Sequence, residues 1–214
     1  MPDILEILDK CFYIEYGTTK MEVLKNEKII RYYDMEIFRR KDKLRMEFLA
    51  PATEKGRRML SDDDNLWMYL PRTSKVMKLP FKQSFMGSDA SNRDLMRMAY
   101  RKDYIIVKTT EKSKNILELE LKAKDASVSY NKMIVTMDMT TLSPLKQEMF
   151  SLSDKLIKTM LFENPAKVDG IYIPSTFIII NELQKNTITR MYYSNMQRTH
   201  NKPEEFFTLA SIKK

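Results

Sequence analysis

The sequence holds one cysteine, Cys11, and one histidine, His200. A hydrolase needs a nucleophile, a base and a group that orients the base. His200 lies in the polar stretch Arg198-Thr199-His200-Asn201-Lys202, while Cys11 sits on the apolar stripe of a helical segment. A Ser/His or Cys/His site is therefore not expected. One histidine and one cysteine cannot make a zinc site. Asp62-Asp63-Asp64 lacks the spacing of a calcium loop and reads as a hairpin turn. The pairs Met96/Met98 and Met137/Met139 offer soft thioethers that suit Cu(I), but at strand spacing Met137 and Met139 read as core. No glycine-rich phosphate loop is present. The expectation is a protein with no catalytic residues, no metal and no cofactor.

What remains is binding. Lysine and arginine number 37 against 29 acidic residues, a formal charge of +8. Such a balance favours anionic partners: nucleic acid, anionic lipid headgroups or an acidic protein surface. The densest basic stretches, Arg39, Arg40, Lys41 and Lys43, then Arg57 with Arg58, lie in no nucleic-acid-binding motif and read as solvated turns. Nucleic acid is not expected. The 17 methionines are more telling. Met fills irregular gaps and lines surfaces that accept ligands of varied shape. Compositional drift in an AT-rich genome gives the same excess, so both origins stand.

The elements that would carry such a surface are mostly strands. Ile4, Leu5, Ile7, Leu8 and Cys11 fall at helical spacing, with Asp3 and Glu6 at the start and Lys10 at the end, as the helix dipole prefers. The period then changes to two. Leu117, Leu119 and Leu121 alternate with charges, and Met133, Val135, Met137 and Met139 alternate with polar residues. Further strands are expected at 17–25, 28–40, 43–50, 56–61, 65–70, 75–79, 100–110, 145–152, 155–163, 172–183 and 186–196. Turn signals separate them at Lys25–Lys28, Lys41-Asp42, Ser61–Asn65, Ser113–Asn115, Ser143-Pro144, Val168–Gly170 and Gln184–Asn186. One interruption stands out. After Pro80 a loop runs to Ser88, and Ser91 with Asp94 forms a capping-box pair that opens a short helix at about 92–98. Leu66-Trp67-Met68-Tyr69-Leu70 and Phe177-Ile178-Ile179-Ile180 are apolar on both faces. That favours packed layers or a sheet curled round a hollow over a one-sided sheet. Trp67 and Tyr69 are expected under the N-terminal helix or at the edge of a cavity. No apolar run approaches the roughly 18 residues of a membrane span. Met1-Pro2-Asp3 leads straight into the amphipathic segment without the pattern of a signal peptide, so the expectation is either a cytoplasmic protein or one whose targeting segment has been removed.

Three stretches carry a resemblance. Phe48-Leu49-Ala50-Pro51-Ala52-Thr53-Glu54-Lys55-Gly56 is similar to an F-x-x-P-x-x-x-K-G motif. Asp64-Asn65-Leu66-Trp67-Met68-Tyr69-Leu70-Pro71 resembles an N-L-W-x-Y-x-P strand. Gln83 to Asp89 followed by Asn92 to Leu95 resembles an F-M-G-S-D…D-L loop and helix. In this order and spacing they resemble the outer-membrane lipoprotein-sorting family, the LolA-like carriers. Outside residues 48–104 the likeness is one of pattern: the N-terminal helix, the strand rhythm and a C-terminal strand running into Phe206-Phe207-Thr208.

The resemblance implies one domain over residues 1–214: a curved antiparallel sheet forming a half-open β-barrel, with an N-terminal helix and a short lid helix. It also implies a periplasmic address, acyl chains of lipoproteins or phospholipid as ligand, an inner-membrane transporter and an outer-membrane acceptor as partners, and transient contact with a membrane surface. The residues expected to line the cavity are Met46, Phe48, Leu66, Met68, Leu70, Leu117, Leu119, Leu121, Met133, Val135 and Met137. Phe85, Met86, Leu95 and Met98 belong to the segment that gates it. Two other readings stand beside this one. The same residues could make a filled core. The chain could also be a sensor or an accessory subunit of a membrane exporter that binds protein rather than lipid.

Overall fold

The computed structural model describes residues 3–62, 65–96, 99–184 and 186–213. Helix α1 (Ile4–Cys11) starts where the Asp3 carboxylate accepts the N–H groups of Leu5 and Glu6, and Lys10 closes an ion pair with Glu6 one turn back at 2.7 Å. Six strands follow: β1 (Tyr16–Lys25), β2 (Lys28–Arg40), β3 (Lys43–Ala50), β4 (Arg58–Ser61), β5 (Leu66–Leu70) and β6 (Lys75–Lys78). Two short helices, α2 (Asn92–Met96) and α3 (Tyr100–Asp103), lead into β7 (Tyr104–Ser113), β8 (Ile116–Ala123), β9 (Lys132–Asp138), β10 (Ser143–Phe150), β11 (Leu156–Val168), β12 (Ile171–Asn181) and β13 (Ile188–Gln197). The chain ends in two 3₁₀ turns, Glu204–Phe207 and Ser211–Lys213.

Among the described residues all 13 strands form one curved sheet in the order β6-β5-β4-β3-β2-β1-β13-β12-β11-β10-β9-β8-β7, antiparallel throughout. The two meanders join where β1 pairs with β13, Met21 opposite Met191. Strands β6 and β7 stay as free edges, so the barrel is incomplete. Hairpin chemistry sets the register. Asn26 and Glu27 (φ 49° and 62°) and Asp169 and Gly170 (φ 47° and 83°) place two successive left-handed residues in the turns β1–β2 and β11–β12. That geometry matches the twist of the flanking strands.

The period-two reading predicts the faces well. Met21, Met35, Met46, Phe48, Met59, Leu66, Met68, Leu119, Leu121, Met133, Val135, Met137, Met149 and Met160 form one buried cluster with Leu5 and Leu8 of α1 and with Phe85, Ala90 and Met96 of the segment after β6. We call this covered side of the sheet its inner face. Eleven buried methionines belong to this cluster. Their place on the covered face is what an apolar side chain requires, whichever origin raised their number.

Four expectations need correction. The strand expected at 100–110 begins as a helical turn, because the Asp9 carboxylate accepts the N–H groups of Tyr100 (2.7 Å) and Arg101 (3.2 Å). Ser143-Pro144 is not a turn. The chain reverses at 139–142 with Leu142 in a left-handed conformation (φ 55°), and Pro144 lies in β10 beside a register shift, where a missing N–H is tolerated. Trp67 and Tyr69 lie neither under α1 nor at a cavity edge. They point to the outer face and pack with Phe38 and Leu60 beneath Phe206, Phe207 and Ile212 of the C-terminal turns. Phe206-Phe207-Thr208 accordingly ends in a 3₁₀ turn rather than a strand. The expected turns around Asp63, Asp64 and Lys185 fall partly outside the described residues.

The C-terminal turns are held by more than apolar contact. Arg45 donates to the carbonyls of Phe206 (2.9 Å) and Ser211 (3.3 Å) and lies over the Phe206 ring. Phe207→Ala should therefore cost about 3 kcal/mol, which lowers Tm by roughly 6–12 °C for a chain of this length. Thermal unfolding followed by circular dichroism measures it, and a loosely attached tail would leave Tm unchanged.

Candidate functional site

The roof of the inner face is the place where function can be sought, because it covers the main apolar surface without being part of the sheet. It consists of α1 and the segment 79–103, and its apolar side chains fill the sheet's curvature. Phe85 is fully buried and stacks on Phe48 of β3 at 6.2 Å between ring centres. Leu8 of α1 and Met96 of α2 are buried alongside.

Polar latches fix this roof to the strands. Arg31 of β2 donates to the Gly87 carbonyl at 3.0 Å, and Tyr33 donates its hydroxyl to the Met86 carbonyl at 3.4 Å. Gly87 has φ +72°, and a Cβ there would lie 2.4 Å from the Arg31 guanidinium, so any side chain would displace the latch. Asp89 accepts hydroxyl hydrogen bonds from Thr187 (2.7 Å) and Thr189 (2.8 Å) at the start of β13. The third latch is buried. Ser91 and Asp94 make the reciprocal capping box read from the sequence, the Ser91 N–H donating to Asp94 at 2.7 Å and the Asp94 N–H to Ser91 Oγ at 3.3 Å. Asp94 also accepts the Tyr130 hydroxyl at 2.8 Å and pairs with Lys158 of β11. The side chains of Asp94 and Lys158 are 0% and 7% exposed. Burial, with the Asp94 charge beside it, pushes the Tyr130 phenol far above its ordinary range and keeps it a donor.

An apolar crevice lies between α1 and the sheet. It has a volume of about 60 Å³ and runs between Cys11 and Phe12 of α1, Leu95 of α2, Ile37 and Arg39 of β2, and Met160, Phe162, Phe177, Tyr193 and Met196 of β11, β12 and β13. Phe12, Phe162, Phe177 and Tyr193 form a chain of ring contacts along it, at 4.9–5.9 Å. Cys11 is 1% exposed, and burial raises its thiol pKa to about 11. This volume is well below the roughly 150 Å³ of a cavity that binds benzene. As it stands this crevice does not admit an acyl chain; a larger and more polar opening of about 290 Å³ lies beside the roof loop, lined among others by Lys82, Asp89, Tyr130, Ile157 and Lys158.

The expected cavity liners are together but not around open space. Met46, Phe48, Leu66, Met68, Leu119, Leu121, Met133, Val135 and Met137 are buried in the cluster, and Leu70 and Leu117 pack against it partly buried. Phe85 is buried beneath the roof, Met86 and Leu95 pack at its rim, and Met98 lies outside the described residues. Only Leu95 of this set touches the crevice. The crevice residues were missed, yet a signal existed. Met35, Ile37 and Arg39 share one phase of β2, as Lys158, Met160 and Phe162 share one phase of β11, so both cations are aimed inward.

Comparison with known proteins agrees with this geometry. A family model described as an uncharacterized protein of a "-like" family matches residues 40–214. Among solved structures, a LolA superfamily protein from Nitrosomonas europaea superposes with a TM-score of 0.82 at 24% identity, over 97% of this chain and 96% of its own. A DUF1329 family protein from Desulfovibrio piger gives 0.83 at 21%, over 98% and 96%. A protein domain assigned to outer membrane lipoprotein sorting, from Vibrio parahaemolyticus, gives 0.81 at 21%, over 98% of each chain. No curated protein matches in sequence. The chain belongs to the family of uncharacterized proteins whose model spans residues 40–214, and it has the LolA-like fold.

Proposed function

We propose that this chain is a non-enzymatic carrier that shelters the acyl chains of lipids or lipoproteins, working as one domain in the periplasm between an inner-membrane donor and an outer-membrane acceptor. The observation that carries the reading is a methionine-rich inner face covered by a roof that polar latches, rather than strand pairing, hold in place. Releasing the latches would uncover Met46, Phe48, Leu66, Met68, Leu119, Leu121, Met133, Val135 and Met137 as the cavity wall. A hydrocarbon tail gains about 0.8 kcal/mol per buried methylene, and thioether side chains repack around it at low cost. The fold of the Vibrio domain, described as serving lipoprotein sorting, favours the same role.

A second reading has its own observation. The free edge β7 exposes Ile105, Ile106 and Val107, a strand that a protein partner could extend. The two readings separate when the chain is incubated with native lipid extract, repurified and analysed by mass spectrometry, with displacement of the neutral probe N-phenyl-1-naphthylamine in parallel. A carrier retains acyl chains and releases probe as lipid is added. A protein-binding module does neither.

The buried latch gives a second test. Asp94→Ala strands the Lys158 charge and should cost about 3–5 kcal/mol, with a rise in N-phenyl-1-naphthylamine fluorescence as the roof loosens. The double variant Asp94→Leu with Lys158→Met should recover most of the stability. If Asp94→Ala unfolds the chain without a probe-binding folded state at low temperature, the roof is integral core and not a lid.

Cys11 reports on the crevice directly. Thiolate is the reactive form, so with a pKa near 11 and no exposure Cys11 should alkylate far more slowly at pH 8 than in the unfolded chain. Its rate should climb as pH rises toward 11, and bound lipid should slow it further. Lipid-independent labelling would place the ligand elsewhere.

A further inference from the structure

Within the crevice one group lacks a counterpart. Arg39 is the only cation among its described lining residues, and its guanidinium has neither a carboxylate nor a hydrogen-bond partner among the described residues. Its described neighbours are phenols: the Tyr13 ring lies 5.7 Å from the guanidinium carbon, and Tyr193 is close enough to interact with it electrostatically. Other inner and outer arginines differ. Arg45 and Arg58 face Glu47, Arg57 faces Glu54, and Arg101 faces Asp3 and Glu6. Arg198 lies at the same distance from the Tyr13 ring, 5.7 Å, but donates to the carbonyls of Lys10 (3.2 Å) and Tyr13 (3.3 Å). The crevice's one lining acid, Asp94, is already taken by Lys158 and Tyr130.

A guanidinium set among aromatic and aliphatic side chains without an anion is costly, and burial accordingly holds the pKa of Arg39 below the ordinary arginine value. The residue is mostly but not wholly covered, so an anion would reach the guanidinium along the crevice rather than directly from the surface. The backbone on either side is fixed. The Arg39 N–H donates to the Glu15 carbonyl at 2.8 Å, and His200 meets the Arg39 carbonyl at 2.8 Å. Lys202 donates its N–H to His200 Nδ1 at 3.1 Å, which leaves Nε2 as the protonated nitrogen that donates to Arg39. The side chain is thus held inward by a rigid support, with an unpaired charge beside an apolar channel.

We propose that Arg39 anchors the head of the ligand, and that the ligand is an acyl chain ending in an anionic group, carboxylate or phosphate, whose tail follows the Phe12–Phe162–Phe177 wall once the roof has lifted and widened the crevice. This rests on the carrier reading and narrows it from acyl chains in general to anionic amphiphiles. The guanidinium fork matches either head in a bidentate, charge-assisted pair.

The test uses the full chain and three probes of equal tail length: dodecanoate, dodecyl phosphate and dodecanol, each titrated against bound N-phenyl-1-naphthylamine. One or both anions should bind about tenfold to a hundredfold tighter than the alcohol, and the tighter of the two identifies the head chemistry. Arg39→Met should erase the preference while keeping the alcohol's affinity, and Arg39→Lys should keep part of it. Arg72→Met, which removes an exposed charge, should change nothing. Since an unpaired cation is being removed, Arg39→Met should fold at least as stably as the parent; the selectivity of the unmutated chain stands as evidence even if it does not. Equal binding of anion and alcohol overturns the proposal and leaves the carrier reading in place. Failure of all three to displace the probe overturns both.

Discussion

The structure depends on covering one continuous apolar surface. A meander of 13 strands with a hydrophobic inner face cannot leave that face in water, and because the sheet does not close, its own strands cannot cover it. The roof that does so is only one helix of two turns and a loop with two shorter helices. Such short elements have little helical stability of their own. They are held by Phe85 and Met96 inserted into the sheet and by Arg31, Asp89 and Asp94 at their margins. The buried pair Asp94–Lys158 is a costly way to gain attachment, since desolvating both charges offsets most of their attraction. An apolar pair of similar volume would hold the roof at least as firmly. What the ion pair adds is a geometric requirement: the roof seats in one register or not at all.

The outer face is treated unevenly. Over β2 to β5 it is covered by the C-terminal 3₁₀ turns, whose aromatic residues make a second small core around Phe38, Leu60 and Tyr69. Over β8 to β10 it carries charged residues such as Glu118, Glu120 and Lys146, and faces water. One half of the sheet is therefore packed on both sides and the other on one. The crevice borders the two, where Ile37 and Arg39 of the doubly packed half meet Met160 and Phe177 of the other. Differences in stiffness across a sheet concentrate motion at such borders, because local opening is least costly where packed contacts are fewest.

Most of this architecture was legible in the sequence, for identifiable reasons. Alternation at Leu117–Leu121 and Met133–Met137 gave strand and face together, since a one-residue slip would turn the whole set outward. The Ser91–Asp94 capping box placed α2 correctly. The loop stretch that suggested the family holds Gly87, Asp89 and Asp94, which prove to be latch residues. The C-terminal turns were not legible, because a 3₁₀ turn has no periodicity to read and Phe206-Phe207 looks like a strand. Asp94 was read as a cap alone, since its partner Lys158 lies 64 residues away. Arg39 was absorbed into a basic stretch and read as solvated. The phase it shares with Met35 and Ile37 was the overlooked sign, and the crevice itself depends on how α1 lies across three strands that no local pattern specifies.

An inner face already filled by its own side chains is compatible with carriage and bears on how carriage could work. Were the hollow permanently empty, an acyl chain entering it would gain the whole transfer free energy of its methylenes and leave only slowly. If the chain is the carrier proposed above, a tail would displace Phe85, Met96 and their neighbours, so the apolar contacts it gains would replace contacts the roof loses. The net driving force is then a difference between two similar packings, small enough to be tipped by a partner or a membrane that binds the displaced roof. Methionine suits this exchange better than leucine or isoleucine would, since its flexible thioether packs against a side chain or a hydrocarbon tail with little penalty either way. On this account the packed state is the resting form of a carrier whose lid doubles as a surrogate ligand, and the head group of the true ligand supplies the discrimination that an apolar surface cannot.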